Sequence, residues 1–134
     1  MILSEIGAYL AANGIGTVGT DIFLGILPDV PDSCCGLFEA GGMAPYRAFR
    51  SAPGQPVAER PRLQVICRDN EFDYSDARTK AGSINALLEG LGDVTLSGCR
   101  YLWIGAVAPP SLMGRDDSGR VQIVQNFDVV KELS

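Results

Sequence analysis

The first apolar positions of the chain recur at helical spacing. Ile2, Ile6 and Leu10, with Leu3 and Tyr9 alongside, predict a short helix that stops at Asn13-Gly14. Asp21 to Leu27 is an apolar run that predicts a strand ended by Pro28. The double turn Pro28-Asp29-Val30-Pro31-Asp32 leads into a second strand, Cys34 to Ala40, which Gly41-Gly42 should end. That order suggests a hairpin, or near neighbours in one sheet. Leu63 to Arg68 alternates, with Leu63, Val65 and Cys67 on one face. Tyr74, Ala77, Ala81, Ile84, Leu88 and Leu91 then follow at three- and four-residue steps. They predict a second helix, with Asp73 as N-cap, Asp76 in the style of a capping box and Phe72 as hydrophobic staple, ended by Gly90 and Gly92. Two final strands are expected at Arg100–Val107 and Arg120–Val130, separated by a polar turn over 111–119. In the last strand Val121, Ile123, Phe127 and Val129 share one face, and Gln122, Asn126 and Asp128 the other.

These elements predict an α+β fold: one twisted, mostly antiparallel sheet with two helices packed on one face, in the order α-β-β-β-α-β-β. The expected core is Ile6, Leu10, Val65, Ala81, Ile84, Leu88, Val121, Ile123 and Phe127. A length of 134 residues fits one domain, 1–134. Within it, the Gly- and Pro-rich stretch at about 41–62 reads as a long surface loop, a length of structureless chain that tends to be functional.

Charge divides the chain into blocks. Residues 1–45 hold Glu5, Asp21, Asp29, Asp32 and Glu39 and no base, whereas 46–68 hold Arg47, Arg50, Arg60, Arg62 and Arg68 against Glu59 alone. The rest is acidic again, and the net charge is −5. That balance does not suit phosphate neutralisation of a nucleic acid. No apolar run approaches the ~20 residues of a membrane helix, and no leader sequence is expected.

Chemistry is sparse. Histidine is absent and only two lysines are present, which leaves little for nucleophile–base catalysis. Gly14-x-Gly16-x-x-Gly19 matches a dinucleotide fingerprint on paper but precedes a strand instead of following one. Asp116-Asp117 reads as a hairpin tip and not a calcium loop. Cys34, Cys35, Cys67 and Cys99 have no zinc-ligand spacing and are expected to be structural, unpaired thiols. No catalytic, cofactor-binding or metal-binding residue is therefore assigned.

Several segments together resemble one family. They are Phe23-Leu24-Gly25-x-x-Pro28-Asp29-x-Pro31-Asp32, the strand ending Cys67-Arg68, the Tyr74-x-x-Ala77-x-x-x-Ala81-x-x-Ile84-x-x-x-Leu88 helix, and Gly114-x-Asp116-x-x-Gly119-Arg120 leading into Asn126-Phe127. In this order and spacing they look like the small minor capsid or tail-terminator proteins of long-tailed bacteriophages. The resemblance implies a non-enzymatic virion protein without cofactor. It would form a homo-oligomer, a hexameric ring that caps the tail tube and offers a surface to the head-completion or connector protein. It further implies assembly in the host bacterial cytoplasm and a place at the head–tail joint. A head-completion or stopper protein is the alternative of the same class, and a small accessory enzyme that of another. Blocked charge suits head-to-tail association, in which unlike patches meet and rings close. Tyr46, Arg47, Phe49, Arg50, Arg60 and Arg62 are the expected interface on the arm, and Asp21, Asp29, Asp32 and Glu39 of a neighbouring copy the expected receiving acids.

Overall fold

A computed structural model describes residues 1–48, 53–54 and 56–133. Helix α1 (Ile2–Ala12) is followed by β1 (Ile22–Leu24), β2 (Cys34–Tyr46), β3 (Ala58–Asp69), helix α2 (Tyr74–Leu88), β4 (Gly92–Leu96), β5 (Cys99–Ala106), β6 (Ser111–Arg115) and β7 (Val121–Lys131). The strands form one sheet in the order β1-β2-β3-β7-β5-β4, with β6 on β7. All pairings are antiparallel except β1 with β2. The expected element order is present, and β4 and β6 are additional.

β7 shows why the sheet has an inside. Its residues alternate between buried and half-buried from end to end. Val121, Ile123, Phe127 and Val129 face inward against Leu63, Val65 and Cys67 of β3, beneath Ala77, Ala81, Ile84 and Leu88 of α2. Ile6 and Leu10 of α1 join the same cluster with Ile22 and Leu37, so both helices cover one face. Every residue of the expected core is fully buried. Gln125 takes a core position as well, and its Nε2 donates to the Ala81 carbonyl at 2.9 Å.

The departures have local causes. Gly25, at φ 78°, ends β1 after three residues and donates to the Leu37 carbonyl. β1 and β2 are neighbours but parallel, because 25–33 turns back over the sheet and does not form a hairpin. Gly41-Gly42 does not end β2: the ladder skips a register there and resumes at Gly42↔Pro61. Gly42 has φ 126°, and the backbone of Arg60–Arg62 fills the space a Cβ would need. The stretch read as loop therefore holds the ends of two paired strands, up to Tyr46 and from Ala58, closed by Val57 N–H donating to the Tyr46 carbonyl at 2.7 Å. β4 and β5 are joined by Ser97-Gly98, both at positive φ, the conformation a two-residue hairpin turn demands. At α2, Asp73 precedes the first turn, but its side chain makes no cap hydrogen bond, and Phe72 is 89% exposed and staples nothing.

A buried charged cluster closes one end of the core. Lys131 ends the inner face of β7 at 1% exposure, and its Nζ lies 3.3 Å from Glu5 Oε1 of α1 and 3.7 Å from Glu59. The Tyr101 hydroxyl donates to Glu5 Oε1 at 2.7 Å, and the Met1 ammonium pairs with Oε2 at 3.1 Å. Burial works against the Glu5 carboxylate. The Tyr101 hydrogen bond, the Met1 ammonium and Lys131 outweigh it and hold its pKa below the ordinary value. Burial, and then Glu5, push the Tyr101 hydroxyl well up, so it stays a donor.

Three outcomes follow for stability. Ile84→Ala or Leu88→Ala should each cost about 2–5 kcal/mol in denaturant unfolding, since both side chains are fully enclosed. For Glu5, a carboxyl depressed in the fold adds stability above its unfolded value of about 4.3, lost as pH falls through the folded value. Unfolding measured from neutral to acid pH should therefore fall more steeply for wild type than for Glu5→Gln. Lys131→Met should cost about 3–5 kcal/mol at neutral pH by leaving a buried carboxylate under-compensated.

Candidate assembly surface

The sheet face away from the helices carries the exposed chemistry. Cross-strand partners along it are Met43 with Arg60, Arg62 with Asp128, and Trp103 with Val130. A bulge between Tyr101 and Trp103 turns Tyr101 inward and Trp103 outward, where the indole lies across Gly105 in the space a Cβ would take. Met43, Tyr46, Arg60, Trp103 and Val130, with Asp128 beside them, line a concavity of about 200 Å³. Arg60 organises it. Its Nε donates to the Ala44 carbonyl at 2.6 Å, Nη1 approaches the Tyr46 hydroxyl at 3.4 Å, and the guanidinium sits 4.3 Å from the Tyr46 ring centre. Among the described residues the Arg60 hydrogen bonds reach uncharged atoms only. Arg62 is paired with Asp128 at 2.9 Å.

The opposite end of the sheet is built differently. The connection 25–33 folds over the outer face and is held by two arginines. Arg68 of β3, buried, donates to the carbonyls of Asp32, Pro28 and Pro31 at 3.1, 2.5 and 2.7 Å. Arg120 gathers three carboxylates: Asp116 at 2.7 Å, Asp29 at 3.0 Å and Asp32 at 3.1 Å. Burial opposes the charge of Asp116, but Arg120 and the backbone N–H groups of Arg120 and Ser118 win and lower its pKa. Arg115 donates to the Glu71 and Gly119 carbonyls, which brings the turn 70–73 alongside. Acids dominate this end, and Val30 and Phe72 stand exposed on it at 73% and 89%.

The expected interface residues therefore separate. Tyr46 and Arg60 meet at the concavity, Arg62 lies beside it, and Arg47 is exposed just past the end of β2. Phe49 and Arg50 lie outside the described residues. Of the receiving acids, Asp29 and Asp32 sit together at the far end on Arg120. Asp21 accepts from the Thr17 N–H at 2.6 Å and closes the turn before β1. Glu39 is exposed on β2, beside a shallow cleft of about 300 Å³ that also touches Met1 and Lys131. Trp103, Met43 and Val130 were not singled out from sequence. The outward turn of Trp103 comes from a bulge, which alternation does not reveal.

The cysteines are buried free thiols. Cys35 and Cys67 face each other across β2 and β3. Their hydrogen bond lowers the Cys35 pKa and, with burial, raises that of Cys67. Among the described residues no group of His, Cys, Asp or Glu could hold a metal ion. Among the described residues no helix is long and apolar enough to cross a membrane.

The subunit is thus an α+β sheet whose outer face has two chemically unlike ends, one lined by arginine and aromatics and one acidic. Residues 9–133 match the family model described as bacteriophage tail terminator protein, and the chain belongs to that family. It is a structural bacteriophage tail protein. Among solved structures, a chain from the virion of a native gene transfer agent particle shares the fold, with TM-score 0.58 at 15% identity over 86% of this chain and 81% of that one. A second solved chain aligns with TM-score 0.50 at 17% identity, over 96% and 89%. No curated protein gives a significant match.

Replacing Arg120 by Ala should release the 28–32 connection. Hydrogen exchange should speed up at 28–33 and 116–120, while α2 and β7 keep their protection.

Proposed function

We propose that copies of this chain associate head to tail into a closed ring, six by the resemblance to tail terminators. The ring would cap the tail tube and present a surface to the head-completion protein at the head–tail joint. The reading rests on one observation: a single subunit carries an arginine- and aromatic-lined concavity at one end of its outer sheet face, and an acidic end with exposed apolar side chains at the other. Unlike surfaces on one subunit make heterologous contacts, and these close into rings when the rotation permits. The role needs no catalysis and no cofactor. The partners are further copies of the chain, the tube protein and the connector, with no nucleic acid and no membrane.

Exposed ion pairs contribute only about 0–1 kcal/mol each, so charge orients the contact and buried apolar area holds it. Assembly should weaken with salt without vanishing. Reversing Arg47 and Arg50 to Glu should leave the circular dichroism of the subunit unchanged and reduce the assembled fraction in sedimentation, most at low salt. Equal assembly of variant and wild type at low and high salt would remove the arm from the contact.

A further inference from the structure

The ring reading leaves open what fills the concavity, and the inference that follows rests on that reading. We infer that the concavity formed by Met43, Tyr46, Arg60, Trp103 and Val130 is the socket for Phe72 of a neighbouring copy.

Three observations carry it. The first is fit. The concavity measures about 200 Å³ and is walled by an indole, a phenol, a thioether and a valine, with Arg60 and the Arg62-paired Asp128 also lining it. An apolar cavity of roughly 150 Å³ is enough to hold a benzene ring. The second is the knob. Phe72 is 89% exposed in a turn fixed from both sides, by Asp73 N–H donating to the Asn70 carbonyl at 3.0 Å and by Arg115 on the Glu71 carbonyl at 2.6 Å. Because the backbone of the turn is already anchored, a partner that covers the ring has only the side-chain rotamer left to order. The third is charge. Glu71 and Asp73 flank the knob, and the Arg60 guanidinium at the socket wall has no carboxylate partner among the described residues. Trp, Tyr and Arg gathered at one pocket are also the composition in which interface energy concentrates.

The geometry of the subunit agrees with this pairing. Phe72 follows the end of β3 at Asp69, whereas the socket is built around the opposite end of the same strand, at Arg60. One subunit cannot fill its own socket across the length of β3. The knob and socket are separated on each copy, so a second copy must supply the knob, which is the arrangement a head-to-tail ring uses.

Trp103 is the only tryptophan, so it reports on the socket directly. At 46% exposure it should be quenched by iodide in the dilute subunit. As concentration drives assembly, followed by sedimentation, its emission should shift to the blue and its quenching constant should fall several-fold. Phe72→Asp should weaken assembly by about 30-fold or more, the value of a hot-spot side chain, and should leave Trp103 quenchable at every concentration. Because Phe72 packs on nothing in its own subunit, that variant should unfold at the wild-type denaturant midpoint. A wild type that assembles while Trp103 stays as quenchable as in the subunit overturns the socket and leaves the ring standing. Unimpaired assembly of Phe72→Asp overturns the knob in the same way. A wild type that stays monomeric at all concentrations overturns the ring, and this contact with it.

Discussion

The pairing of β3 with β7 is the interaction from which the rest is arranged. It runs from Glu59↔Lys131 to Asp69↔Val121 through the middle of the sheet. Because side chains alternate across each strand, fixing this register fixes two surfaces at once. One is the apolar floor on which α1 and α2 sit. The other is the outer face, where Arg62 meets Asp128 and where β2 and β5 bring up Met43, Tyr46 and Trp103 on either side. A slip of one residue would expose Phe127 and bury Asp128, so the hydrophobic effect that seals the core also dictates which groups a partner can touch.

Polar chemistry refines this frame at its two ends. Lys131, Glu5 and Tyr101 close the core where β7 runs out, and the buried charge ties the first turns of α1 to the last residue of the sheet. Arg68 and Arg120 do the corresponding work at the other end, through carbonyls and carboxylates of a connection with few apolar anchors of its own. Of the five acids in the first third of the chain, Asp21, Asp29, Asp32 and Glu39 were read as receiving the arginines of a neighbouring copy. In the fold Glu5, Asp21, Asp29 and Asp32 each hold something in place.

What was legible in the sequence was what periodicity records. Both helices, the strand at 63–68 and the alternation of β7 follow from spacing alone, and every residue named for the core is buried. Periodicity is silent where the backbone breaks step. Glycines at 41 and 42 read as an end because the bulge that lets β2 continue needs them just as a turn would. Gly92 read as a helix stop while it opens β4, and Ser111–Arg115 read as a turn because a half-exposed five-residue strand beside Pro109-Pro110 has little apolar pattern to show. Of the concavity, the arm residues Tyr46 and Arg60 were visible through composition. Trp103 was not, because its facing depends on one unpaired residue between it and Tyr101.

The outer edge of β2 has a consequence for solubility. β1 pairs only with Cys35–Leu37, so from Glu39 to Tyr46 one side of the strand has no ladder partner among the described residues. A bare edge of that length is a template for runaway strand addition. Here the edge is spoiled from within: the register shifts twice, Gly41 and Gly42 take conformations foreign to a strand, and Pro45 has no N–H to offer. Another backbone cannot run along it. The edge is thereby closed to backbone pairing and guarded against indiscriminate strand addition, and what it offers to other molecules is side chains.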